Sequence, residues 1–160
     1  MVTSTPLRGK PAIWRTSSDL PDVSSRFLAD SSAVIRILTG KAGPEWIDAV
    51  TAGTIAICDP VESELLRDTA ANTRRPQIQR LLRSTYAWAP VPDDCWQRAL
   101  EMQDQLAATS QHSGASVVDL IIAVTAMRNR LILLHDDRDY ETIARVTGLR
   151  TARVIQPADS

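Results

Sequence analysis

Apolar residues fall along this chain in short blocks, and the blocks alternate between two spacings. Phe27-Leu28-Ala29 is a continuous apolar run that stops at Asp30. After Ser31-Ser32, the stretch Ala33-Val34-Ile35-Arg36-Ile37-Leu38 sets apolar side chains at helical intervals until Thr39-Gly40. This predicts a strand feeding a helix. The alternation repeats. Residues 44–50 fit a second helix closed by Gly53, and residues 54–58 form a β-leaning buried run. Asp59-Pro60 opens a helix to about Ala70, with Asp59 as the cap and Pro60 as the first helical residue. Further helices are predicted over 76–84, 92–109, 116–129 and 140–146. Short strands are predicted at 86–88, 131–134 and 151–155.

Strands that alternate with helices predict an α/β layer structure around a mainly parallel sheet. Residues 1–25 stand apart, being rich in Ser, Thr and Pro with few core-type side chains. They read as a disordered or irregular leader before one domain over 26–156, with a short tail at 157–160. The chain has 160 residues, 44% of them hydrophobic, which suits a single core better than two.

A net charge of -1 excludes a globally basic nucleic-acid binder, so any RNA contact must come from a local patch. The two cysteines, Cys58 and Cys95, lack metal-type spacing and fit a reducing compartment. No apolar run approaches the roughly 20 residues of a membrane helix, and the leader has no apolar core of a signal peptide. A cytoplasmic protein is expected.

Ligands of open α/β sheets collect at the carboxyl ends of the strands. Acids sit there repeatedly. Asp30 ends the first strand, Glu64 follows the second, Asp119 lies in the first turn of a helix, and Asp136, Asp137 and Asp139 follow the 131–134 run. Converging carboxylates repel one another unless cations neutralise them. Hard divalent ions with oxygen ligands do so, and they activate water against a phosphodiester. Each acid also has an ordinary structural role open to it. Asp30 can cap the helix after it, Ser116-Val117-Val118-Asp119 is a capping-box pattern, and Asp136 to Asp139 can be a solvated turn. Glu62, three residues after Asp59, is placed to reach back to the cap, which leaves Glu64 as the better ligand.

Four stretches, taken in order, resemble a known family. They are Phe27-Leu28-Ala29-Asp30-Ser31-Ser32-Ala33, Glu64-Leu65-Leu66, Asp119-Leu120-Ile121-Ile122-Ala123, and Leu134-His135-Asp136-Asp137-Arg138-Asp139-Tyr140 running on to Ala144. The chain is similar to PIN domains, and within them to the VapC toxins of bacterial VapBC toxin–antitoxin modules. The resemblance covers about residues 27–156. It implies a Rossmann-like α/β/α sandwich and a metal-dependent endoribonuclease using Mg²⁺ or Mn²⁺. It also implies a homodimer and silencing by a VapB-type antitoxin. Asp30, Glu64, Asp119 and Asp137 match the family's acidic quartet, Asp139 an accessory acid, and Ser32 a small polar residue that supports the first Asp. Asp136 is an extra acid. The leader departs from the family pattern.

Arg74, Arg75, Arg80 and Arg83 form a basic stretch that reads either as a solvated helix face or as an RNA-contacting rim, and Arg67, nearer Glu64, can reach an RNA phosphate or pair with an acid. Trp46, Trp88 and Trp96 read as core or interface, and His135 as structural or supporting the acids. Two rivals stay open: a catalytically silent PIN-like RNA- or protein-binding module, and a receiver-like domain. The absence of lysine after Lys41 counts against the receiver.

Overall fold

The structure, a computed structural model, describes residues 26–67, 74–110 and 114–155. The expected leader and tail, and the expected end of the helix near Ala70, lie outside these residues. The elements run β1 (Phe27–Ala29), α1 (Ser31–Leu38), α2 (Pro44–Thr51), β2 (Ile55–Ile57), α3 (Asp59–Arg67), α4 (Arg75–Thr85), β3 (Ala87–Trp88), α5 (Cys95–Ala108), α6 (Val117–Arg128), β4 (Ile132–His135), α7 (Arg138–Thr147) and β5 (Thr151–Arg153).

All strand pairings are parallel, and the order across the sheet is β3-β2-β1-β4-β5. The chain therefore builds outward from β1 to β3, then crosses back to place β4 on the other side of β1. This reversal of strand order lies between β1 and β4, where Leu28 faces Leu133 and Ala29 faces Leu134. Alternate residues of a strand point to opposite faces, yet Leu28 and Ala29 are both buried, as are Ile55, Ala56 and Ile57. Both faces of the sheet are thus covered, which explains why these strands read as continuous apolar runs. α6 carries seven consecutive buried residues, Leu120 to Ala126. A helix that is apolar all round belongs inside the fold, and α6 packs against α3, α5, α7 and β4.

Element boundaries shift where local chemistry overrides periodicity. α5 starts at Cys95 instead of 92, because Asp93 and Asp94 form a turn in which the Cys95 amide bonds back to the Pro92 carbonyl at 3.0 Å. α3 starts one residue earlier than expected. Asp59 is its first residue, and the Glu62 amide already bonds to the Cys58 carbonyl at 3.0 Å. Cys58 and Cys95 are free and buried, as small apolar residues. Trp88 is core, but Trp96 is 62% exposed and is not. Among the described residues, no helix is long and apolar enough to cross a membrane.

Candidate active site

The carboxyl edge of the sheet brings the acids together. β1 ends on Asp30, whose amide bonds to the Leu134 carbonyl of β4 at 3.0 Å. This places Asp30 beside the turn that carries Asp136 and Asp137. Asp30 is only 4% exposed. It caps α1 by accepting the Ala33 amide at 2.9 Å, and it accepts the Ser32 hydroxyl at 2.8 and 3.0 Å. The cap role and the site role coexist in one side chain. Burial pushes its carboxyl up to about 6, with Asp137 adding to the rise, against the opposing hydrogen bonds from Ala33 and Ser32.

Glu64 projects from the second turn of α3 and accepts the Ser31 hydroxyl at 2.8 Å. Adjacent serines at the start of α1 therefore hold two different acids, Ser31 taking Glu64 and Ser32 taking Asp30. Asp119 forms the expected capping box with Ser116, at 2.7 and 3.2 Å. Its second oxygen lies 3.4 Å from the Tyr140 hydroxyl, a long contact. Asp137 caps α7 by accepting the Asp139 amide at 2.9 Å, and its own amide donates to His135 Nδ1 at 3.2 Å. His135 is buried and accepts at Nδ1, so it is a neutral imidazole with its proton on Nε2; burial, chiefly, lowers its pKa.

Asp139 is raised by burial first, then by Asp137 and Asp119. Gly114, ahead of α6, lies close to this carboxylate. A Cβ added to Gly114, which sits at φ +132°, would lie 2.6 Å from Asp139 Oδ1. Tyr140 is fully buried, and its hydroxyl is pushed well above its ordinary value by burial and then by Asp30, Asp119 and Glu64. Cys58, at the end of β2, is pushed up to about 12 by burial, with Asp59, Glu64 and Asp30 adding to it. Two buried groups thus feel the same acids from inside the fold.

Asp136 behaves differently from its neighbour. It accepts Arg36 Nε at 2.9 Å and faces Arg153 Nη1 at 3.6 Å, so its charge is already met. Among the described residues, Asp30, Glu64, Asp119, Asp137 and Asp139 have no Lys or Arg ion pair. Also among the described residues, no three His, Cys, Asp or Glu side chains are grouped so that they could hold a metal ion between them. The donor set nevertheless fits a hydrated magnesium-like ion. It is all oxygen and negatively charged, and such an ion needs only one or two direct carboxylates and keeps several waters.

The basic stretch departs from expectation. Arg83 is locked to Glu62 by a two-pronged pair, at 2.7 and 3.2 Å, with 21% and 8% of the two side chains exposed. Glu62 is therefore structural, as expected, but it bonds across to α4. Arg83 is not a free rim cation. Arg75 donates to the Leu66 carbonyl at 3.2 Å, while Arg67, Arg74 and Arg80 are exposed. Arg36 and Arg153, which the sequence pattern did not single out, stand beside the acids through Asp136. Ser31 was also missed.

The PIN domain family model matches residues 27–146. Ribonuclease VapC6 of Mycobacterium tuberculosis (strain ATCC 25618 / H37Rv) is 33% identical over 106 residues, which cover 66% of this chain and 84% of the relative. Ribonuclease VapC2 of Mycobacterium tuberculosis (strain CDC 1551 / Oshkosh) is 31% identical over 134 residues, or 81% of this chain and 92% of the relative. Among solved structures, DNA-bound VapBC from Salmonella typhimurium matches with a TM-score of 0.66 at 15% identity. That match covers 81% of this chain and 98% of the other. This last likeness is one of fold.

Proposed function

The chain belongs to the PIN domain family and is akin to its VapC ribonucleases, and from that premise we propose that it is an endoribonuclease, the toxin of a toxin–antitoxin pair. It cuts RNA with Mg²⁺ or Mn²⁺ held at the carboxyl edge of its sheet. The observation that carries this reading is the set of five acids, Asp30, Glu64, Asp119, Asp137 and Asp139, which have no Lys or Arg partner among the described residues at one edge, while neighbouring acids are paired.

Asp30, Asp119, Asp137 and Asp139 would hold the cation, directly or through water. When bound, such an ion lowers the pKa of water and offsets charge on the scissile phosphate. The chain's own groups do the rest. Ser32 and the Ala33 amide fix the Asp30 carboxylate. Ser31 fixes Glu64, which is placed to orient the attacking water. The Ser116 amide fixes one oxygen of Asp119, and His135 anchors the Asp137 backbone. Arg67, Arg74 and Arg80 remain candidates for RNA contact.

The partner is a VapB-type antitoxin, a reading supported by fold neighbours that are solved as toxin–antitoxin assemblies, such as the complex from Klebsiella pneumoniae. A homodimer acting in the cytoplasm completes the proposal. The catalytically silent alternative is not favoured, because the acid set is intact.

Purified protein should cleave RNA with Mg²⁺ or Mn²⁺ and stop in EDTA, and Asp30→Asn should be inactive yet folded. Growth should arrest when the chain is expressed alone and recover with its antitoxin. Cleavage that persists in EDTA, or in Asp30→Asn, sinks the proposal.

A further inference from the structure

Ser32 is the junction between the first acid and the β4–α7 turn. Its hydroxyl oxygen accepts the Asp136 amide at 2.9 Å and lies 2.8 and 3.0 Å from the two oxygens of Asp30. A hydroxyl has one proton to give. With the amide arriving from Asp136, that proton is directed at Asp30. The direction of the Ser32 hydroxyl therefore depends on where the Asp136 peptide stands.

The Asp136 side chain settles where it stands. Its carboxylate is 14% exposed and is gripped from two elements, by Arg36 in the last turn of α1 and by Arg153 on β5. Arg153 is itself held by Glu141 of α7. Two guanidinium groups and two carboxylates balance, so this network has no charge left over for a cation. It borders the acid pocket without joining it. The turn it clamps also carries the amide of Asp137, bonded to His135 Nδ1.

We propose that Asp136 is a positioning residue: held between Arg36 and Arg153, it fixes the peptide N–H that turns the Ser32 hydroxyl onto Asp30. The inference rests on the cation reading above. The rival role for the same contacts is a plain tether of β5 to the rest of the sheet. A tether would set stability alone, whereas a positioning residue acts through Ser32 and is felt at the cation.

The test is a double-mutant cycle on the full chain with Asp136→Asn, Ser32→Ala and the pair. Three quantities are read: Mn²⁺ affinity by calorimetry without RNA, kcat and KM on an RNA oligonucleotide, and melting temperature. Groups that orient metal ligands from the second layer cost about 10–100-fold when removed. Asp136 acts one bond further out, so Asp136→Asn is expected to weaken Mn²⁺ binding and kcat by about tenfold at the lower edge of that range, with KM within about twofold. On the Ser32→Ala background, Asp136→Asn should add less than about twofold, the mark of two residues acting as one. Arg153→Met, which removes half of the grip, should show a smaller loss with the same non-additivity, and it carries the test if Asp136→Asn does not fold. Losses that multiply in the double variant overturn the proposal. So does a lowered melting temperature with wild-type Mn²⁺ affinity and kcat. Wild-type protein that binds no Mn²⁺ and cleaves nothing overturns the cation reading as well.

Discussion

The seam between α3 and α4 and the carboxyl edge of the sheet treat the same chemical group in opposite ways. At the seam, Glu62 is buried against Arg83, which meets its charge with a two-pronged pair. At the edge, Glu64, two residues further along the same helix, accepts the Ser31 hydroxyl and has no Lys or Arg partner among the described residues. The contrast recurs within one turn, where Asp136 has two arginines and Asp137 has none among the described residues. Paired acids hold the fold together. Acids denied a counter-ion make a place that a cation from outside can fill, at a cost in stability borne by the rest of the molecule.

Replacing an edge acid should spare the fold and remove the activity. Asp119→Asn is expected to lower RNA cleavage on the order of 10³-fold, because it takes one charge from the cation site. Its amide can still serve the Ser116 cap, so circular dichroism should show an unchanged melt. A large loss of melting temperature instead would mean that the edge is structural.

Breaking the seam should do the reverse. Arg83→Met removes the guanidinium that grips the buried Glu62 carboxylate. It should destabilise the protein by about 3 kcal/mol, at the lower end for a buried pair because Arg83 is partly exposed. Cleavage per folded molecule should hold. Urea titration against cleavage, normalised to folded protein, separates the two effects.

The edge also carries a pH signature. The Asp30 carboxyl sits near 6 in the fold and near 3.8 ordinarily, so the folded chain holds this proton more tightly than the unfolded one. Stability from this group is therefore complete below about pH 4 and is lost as pH rises through 6. Without metal, Asp30→Asn should exceed wild type by roughly 2–3 kcal/mol at pH 8, from a shift of about two units, and the gap should close toward pH 4. Saturating Mg²⁺ should also narrow it. A gap that ignores pH and metal would show that Asp30 is not strained by its charge.

The smallest expected effect lies where the loop touches the edge. Gly114→Ala places a methyl against Asp139 Oδ1 at a φ that L-residues rarely adopt. A cost of about 1 kcal/mol is expected, together with a several-fold higher Mn²⁺ requirement as Asp139 yields. An unchanged Mn²⁺ titration would mean that Asp139 takes no part in holding the ion.

Much of this was legible in the residues. β1, β2 and β4 announce themselves as apolar runs because both of their faces are covered, and Asp30, Asp119 and Asp137 because a cap at a strand end or helix start has a local sequence pattern. What was hidden is non-local. No spacing places β1 in the middle of the sheet, since its partners β2 and β4 come from distant stretches. Nor does any spacing reveal that Asp136 turns to Arg36, 100 residues away, while Asp137 does not. Arg83 read as a solvated or rim cation because its partner Glu62 lies on the preceding helix, 21 residues back.

That Asp30 latches the first turn of α1 has a bearing on how such a chain decays. Copies released from selection for cutting RNA are not free to drift at this position. Alanine would strand the Ala33 amide and cost about 1 kcal/mol relative to asparagine, serine or threonine, which would keep the latch. Derelict descendants should therefore be recognisable by a neutral capping residue at position 30, a scar that records lost chemistry inside a surviving scaffold.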